Sequence, residues 1–186
     1  MQVKIYTDGA ARGAILEYVD TKGTLHTKEL SRGYVRTTNN RMELTAVIEA
    51  FKALKRDGLT IHVFSDSAYV ANCFREKWYE SWEKNKWRNA AHKSVENQEL
   101  WKELLSLVRK HDVTFYRVKG HVKVPVTEDG ILPQSAALTA LYEKFVTWNG
   151  SRFSYEDFLY ITKMNNLADE LAGKGIDSLK SKKDAG

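Results

Sequence analysis

Residues 59–65, Leu-Thr-Ile-His-Val-Phe-Ser between Gly58 and Asp66, constrain this chain more than any other segment. A short, largely apolar and β-branched run of this kind is a strand buried on both faces, so its sheet needs helices above and below. The flanking sequence supplies them. After the polar starter Thr38-Asn39-Asn40, the residues Leu44, Val47, Ile48, Phe51 and Leu54 recur at helical spacing and stop near Gly58. Tyr69, Val70, Cys73 and Phe74 mark a second helix, and residues 97–111 form a third with Leu100, Trp101, Leu104 and Val108 on one stripe, leading into a strand over 113–118. Strand, helix, strand, helix, strand implies parallel crossovers. Residues 3–7, 14–19 and part of 24–34 read instead as an antiparallel meander. The expected architecture is an α/β mixed sheet with helices on both faces.

The chain has 186 residues, 42% hydrophobic and 28% charged, which suits one domain with a substantial core rather than disorder. We expect that domain to span 1–173, with 174–186 as a flexible basic tail. Within it, Pro125, Thr127-Glu128-Asp129-Gly130 and Pro133 mark a loop, followed by helices over 135–148 and 154–164 separated by Asn149-Gly150. Cys73 is the single cysteine, which excludes an intramolecular disulfide and a multi-cysteine zinc site. The opening Met1-Gln2-Val3-Lys4-Ile5 enters strand alternation directly, and no run reaches membrane-spanning length, so a cytoplasmic location without membrane contact is expected. The net charge of +5 favours a polyanionic partner.

Four carboxylates stand at informative places: Asp8 ending the first strand, Glu43 in the first helix, Asp66 ending the buried strand and Asp169 in the last helix. Each also has an ordinary reading. Asp8-Gly9 fits a turn, Asn40 with Glu43 a capping box, Asp66 a helix N-cap, and Asp169 a solvated face. Residues at the carboxyl ends of neighbouring strands converge on one crevice, however, and converging carboxylates repel unless a cation joins them. Hard oxygen donors suit magnesium or manganese, and two such ions roughly 3.5–4 Å apart serve phosphodiester hydrolysis.

Five ordered blocks carry a family resemblance: Tyr6-Thr7-Asp8-Gly9, Thr37-Thr38-Asn39-Asn40-Arg41-Met42-Glu43-Leu44, Ser65-Asp66-Ser67, Val118-Lys119-Gly120-His121, and Asn165-Asn166-Leu167-Ala168-Asp169-Glu170-Leu171-Ala172. Together they resemble type 1 ribonuclease H. The resemblance implies a five-stranded mixed sheet of order 3-2-1-4-5 flanked by helices. It also implies endonucleolytic hydrolysis of the RNA strand of RNA/DNA hybrids, leaving 5′-phosphate and 3′-hydroxyl ends. Asp8, Glu43, Asp66 and Asp169 would be catalytic ligands of two Mg2+ ions, with Mn2+ as a substitute and Asp8 bridging them. His121 matches a mobile catalytic histidine. The resemblance assigns contacts with the hybrid to Asn39, Asn40 and Asn165. The segment 77–93 resembles a basic protrusion, in which Trp78 and Trp82 would cover apolar ground while Lys84, Lys86, Arg88 and Lys93 meet phosphates. A plain amphipathic helix with both tryptophans in the core is the alternative for that segment.

The chain departs from the family pattern in three places. The Gly-rich loop after Asp8 is shortened and lacks a substrate-contacting asparagine. Ala68 stands where a hybrid-contacting glutamine is usual. Residues 122–164 form a helical insertion, expected as a self-packed lobe, with a lid over the hybrid or a surface for a protein partner as sharper alternatives. Otherwise a monomer is expected. The shortened loop motivates a rival reading, a catalytically impaired hybrid-binding module of the same fold.

Overall fold

The computed structural model describes residues 1–8, 13–31 and 37–172, and the helical backbone from there to residue 184. Among these residues the order is β1 (Gln2–Asp8), β2 (Gly13–Val19), β3 (Leu25–Ser31), α1 (Asn39–Lys52), β4 (Thr60–Ser65), α2 (Ala68–Arg75), α3 (Trp78–Lys84), α4 (Gln98–Val108), β5 (Asp112–Arg117), α5 (Ala136–Asn149) and α6 (Tyr155–Asp184). The five strands form one sheet of order β3-β2-β1-β4-β5, in agreement with the expected topology. β1 pairs antiparallel with β2 and parallel with β4, which pairs parallel with β5. The expected shortening after Asp8 concerns residues 9–12, which lie outside the described residues; Asp8 and Gly13 on either side of them are paired across the sheet.

Alternation along the strands divides the apolar residues between two cores. Val3, Ile5, Ile61, Val63 and Phe115 face α1, α2 and α4, where Leu44, Val47, Val70, Trp101 and Leu104 are buried. On the other face, Tyr6, Phe64 and Tyr116 stand side by side across three strands, with ring centroids 5.2 and 5.0 Å apart.

That aromatic row is covered by the insertion. Leu138 and Phe145 of α5, with Phe158, Leu159 and Ile161 of α6, are buried against it. Fully burying a side chain of this size stabilises by about 1.5–3 kcal/mol, so this is a second core rather than a self-packed lobe. The expected helix over 154–164 does not stop at Met164 either. Ser154 and Asp157 cap it reciprocally, with Ser154 N donating to Asp157 Oδ2 at 2.9 Å and Asp157 N to Ser154 Oγ at 3.1 Å. No glycine or proline interrupts the chain between there and Ala172. One helix therefore runs from the insertion through Asp169, and its backbone stays helical to Asp184. No described helix is long and apolar enough to cross a membrane.

Candidate active site

β1 and β4 run parallel, so their carboxyl ends deliver Asp8 and Asp66 to the same edge of the sheet. Asp8 is 4% exposed, and its carboxyl neighbours those of both Asp66 and Asp169. Burial, and then the repulsion of Asp8, pushes Asp66 up to about 7. Burial and Asp8 also raise Asp169, against the opposing influence of His121. His121 Nδ1 lies 3.3 Å from Asp169 Oδ2. Asp8, Asp169 and His121 each place a ligand atom within 4.8 Å of the others. Asp66 Oδ1 is buried with no hydrogen-bond partner. A buried carboxylate oxygen left without a donor, beside carboxyls raised by burial and by Asp8, fits a divalent cation.

Local structure frees these groups for that role. α2 is capped by Ser67, whose Oγ accepts from Val70 N at 3.2 Å, so Asp66 is not the cap. α1 is capped by Thr38, whose Oγ1 accepts from Arg41 N at 3.4 Å, so the capping-box reading of Asn40 and Glu43 does not hold. Asn39 and Asn40 are left exposed in the first turn, and Glu43 stands half-buried one turn further on. α1 packs on β1 and β2, which places Glu43 on the side of the sheet opposite α6.

Two glycines set the spacing, and neither stands out in the sequence except as part of a longer motif. A Cβ on Gly120 would sit 2.5 Å from Asp66 Oδ2. A Cβ on Gly13 would sit 2.2 Å from the carbonyl oxygen of Ala168 and 3.0 Å from Ala172 N. Because Gly13 lies opposite Asp8 in the sheet, this close crossing is what brings Asp169 to Asp8. The detectable signal is the pair Ala168 and Ala172, small residues one helical turn apart flanking Asp169.

Other expected substrate contacts divide into those the structure leaves at the surface and those it buries. Lys84, Lys86, Arg88 and Lys93 are exposed, and the first three help line a surface cavity of about 310 Å³ with Asn85, Asn89 and His92. Arg88 also donates to the His92 carbonyl at 2.9 Å. Trp78 and Trp82 are half-buried against the first core, Trp82 meeting Trp101 at 5.5 Å between centroids. Asn165 is a correction. At 1% exposure, with Nδ2 donating to the Thr7 carbonyl at 3.4 Å, it ties α6 to β1 and is closed to substrate.

Fold and site together define a mixed-sheet protein with an acidic centre suited to a divalent cation at the ends of its two central parallel strands. The RNase H family model matches residues 1–129, and the chain belongs to that family. The ribonuclease H of Chlorobium luteolum is 48% identical over 132 residues, 67% of this chain and 86% of that one. That of Lachnoclostridium phytofermentans is 45% identical over 137 residues, 69% of this chain and 86% of its own. Among solved structures, a type 1 RNase H with the type 2 active-site motif shares the fold, with a TM-score of 0.56 and 24% identity over 88% of this chain and 82% of that one. Asp169 lies beyond the residues matched by the family model, so its geometry beside Asp8 and His121 carries its assignment.

Proposed function

We propose that this chain cuts the RNA strand of RNA/DNA hybrids internally, leaving 5′-phosphate and 3′-hydroxyl ends. The observation that carries the reading is the burial of Asp66 beside Asp8, with Asp169 on the other side of Asp8; burial first, and then Asp8, lifts Asp66 to about 7. A protein gains nothing in stability from such a cluster; it makes sense as a cation site. Asp8, Asp66, Asp169 and Glu43 would hold two Mg2+ ions, with Mn2+ able to replace them. Such ions supply charge neutralisation at the scissile phosphate and activation of water.

The chain's own groups then bind and orient. Asn39 and Asn40 project from the start of α1 toward the hybrid, and Lys84, Lys86, Arg88 and Lys93 meet phosphates of the DNA strand. His121, 74% exposed and held with φ 56°, stands at the rim of the acidic centre with Nδ1 facing Asp169. Residues 1–173 act as one domain, as a cytoplasmic monomer.

The test is cleavage of an end-labelled hybrid with Mg2+, with Mn2+ and with chelator, beside RNA/RNA and DNA/DNA duplexes. Metal-dependent cuts confined to the RNA of the hybrid are expected. Binding without cutting in either metal would replace this reading with that of a catalytically impaired binding module.

A further inference from the structure

The insertion does more than cover the second core. The end of α5 is fastened to β5, an edge strand whose outer backbone groups would otherwise be unpaired. Asn149 acts as a substitute strand there: its Oδ1 accepts from Arg117 N at 3.0 Å and its Nδ2 donates to the Arg117 carbonyl at 2.8 Å. Arg75 from α2 donates to the Trp148 carbonyl. This anchoring brings Trp148 under two cations. The Arg117 guanidinium lies 4.1 Å from the centroid of one of its rings, and Lys144 Nζ lies 5.0 Å away.

A surface cavity of about 260 Å³ is lined by Arg117, Lys119, Lys144 and Trp148 together with Asp66 and His121. The insertion and the acidic centre thus share one cavity. Among the described ion pairs, none engages Arg117, Lys119 or Lys144 with a carboxylate. Three neighbouring cations repel one another, and a phosphate between them relieves that repulsion. The first core and the basic protrusion lie on the opposite side of the sheet from α5, so this basic surface is separate from the protrusion.

We propose that α5 is a substrate-binding arm, with Lys144, Arg117 and Lys119 holding the sugar-phosphate backbone of the hybrid where it leaves the acidic centre. Lys144 is the residue the insertion contributes, with Trp148 setting its position. The inference rests on the proposed hybrid-cleaving reading, and it assigns the insertion to substrate rather than to a lid or a protein partner.

The experiment compares the full chain with its Lys144→Ala and Lys144→Arg variants. Steady-state cleavage of a labelled hybrid is measured, together with hybrid binding by fluorescence anisotropy across a salt series without divalent metal. Lys144→Ala is expected to raise KM several-fold with a smaller change in kcat, and to lower the slope of log affinity against log salt by about 0.7–0.9, the change that follows when one phosphate is no longer neutralised. Lys144→Arg should restore both, because it keeps the charge. An unchanged KM and salt slope in Lys144→Ala, or an Arg variant as weak as the Ala variant, would overturn the proposal. If the wild-type chain binds the hybrid without cleaving it, the activity reading fails, while the anisotropy slopes still decide the role of Lys144.

Discussion

The acidic centre and the basic surface beside it share a cavity but follow opposite electrostatic rules. At the ends of β1 and β4, like charges are buried together, and the cost is visible in Asp66, raised to about 7. On β5 and α5, like charges stand at the surface around an indole, where water screens them. The first arrangement needs a bound cation to relieve its strain; the second is ready for an anion at little cost to the fold. Substitutions in the centre should therefore act on chemistry and stability together, and those on the basic surfaces on affinity alone.

The largest expected effect lies in the centre. Asp8→Asn removes the carboxylate that neighbours both others and should cut turnover of the hybrid to below about a thousandth while the circular dichroism spectrum stays native. Normal turnover in this variant would break the assignment. Gly120→Ala follows. Its methyl group must displace Asp66 Oδ2, and a misplacement of about 1 Å costs roughly a hundredfold in rate. Rates within twofold of wild type would show that the loop yields freely. His121→Ala should slow turnover less, by about ten- to a hundredfold, because the histidine is exposed and sits at the edge of the carboxylate cluster. Complete loss in a folded variant would move it into the centre. Replacing Lys84, Lys86 and Arg88 together should leave thermal stability within about 0.5 kcal/mol and reduce the salt slope of hybrid binding by roughly one unit for each phosphate that these side chains neutralise. An unchanged slope would return the protrusion to a structural role.

Much of the first face is legible in the sequence because its periodicities are local: Leu44, Val47, Ile48 and Phe51 on α1 and the run through Ile61 and Val63 on β4 each announce one element. The acidic residues are legible through their motifs. The second face is harder, since Leu138, Phe145 and Phe158 form apolar stripes whose partner, the row Tyr6, Phe64 and Tyr116, lies on strands far away in sequence. Periodicity shows that a stripe is buried, not against what. The helix expected over 154–164 runs on past Met164, and Asn165 turns inward to the Thr7 carbonyl, a contact between distant segments that periodicity does not reveal. The tryptophans of the protrusion are ambiguous for a related reason: large amphipathic rings suit both a core and a nucleic acid, and the contacts of Trp82 with Trp87 and Trp101 join segments that periodicity does not connect.

Thermal unfolding of wild type and Asp66→Asn, compared from pH 4 to pH 8 with and without Mg2+, tests the central claim most directly. Because the folded-state pKa of Asp66 is raised, its favourable contribution is complete below its ordinary value of 3.8 and is lost as pH rises toward about 7. Without metal, the Asn variant should thus become progressively more stable than wild type up to about pH 7, at about 2–4 °C for each kcal/mol, and the gap should then level off. Mg2+ should stabilise wild type, narrow that gap and support cleavage only in wild type. A variant that is less stable than wild type without metal at pH 8, or one that still cleaves the hybrid, would contradict the account.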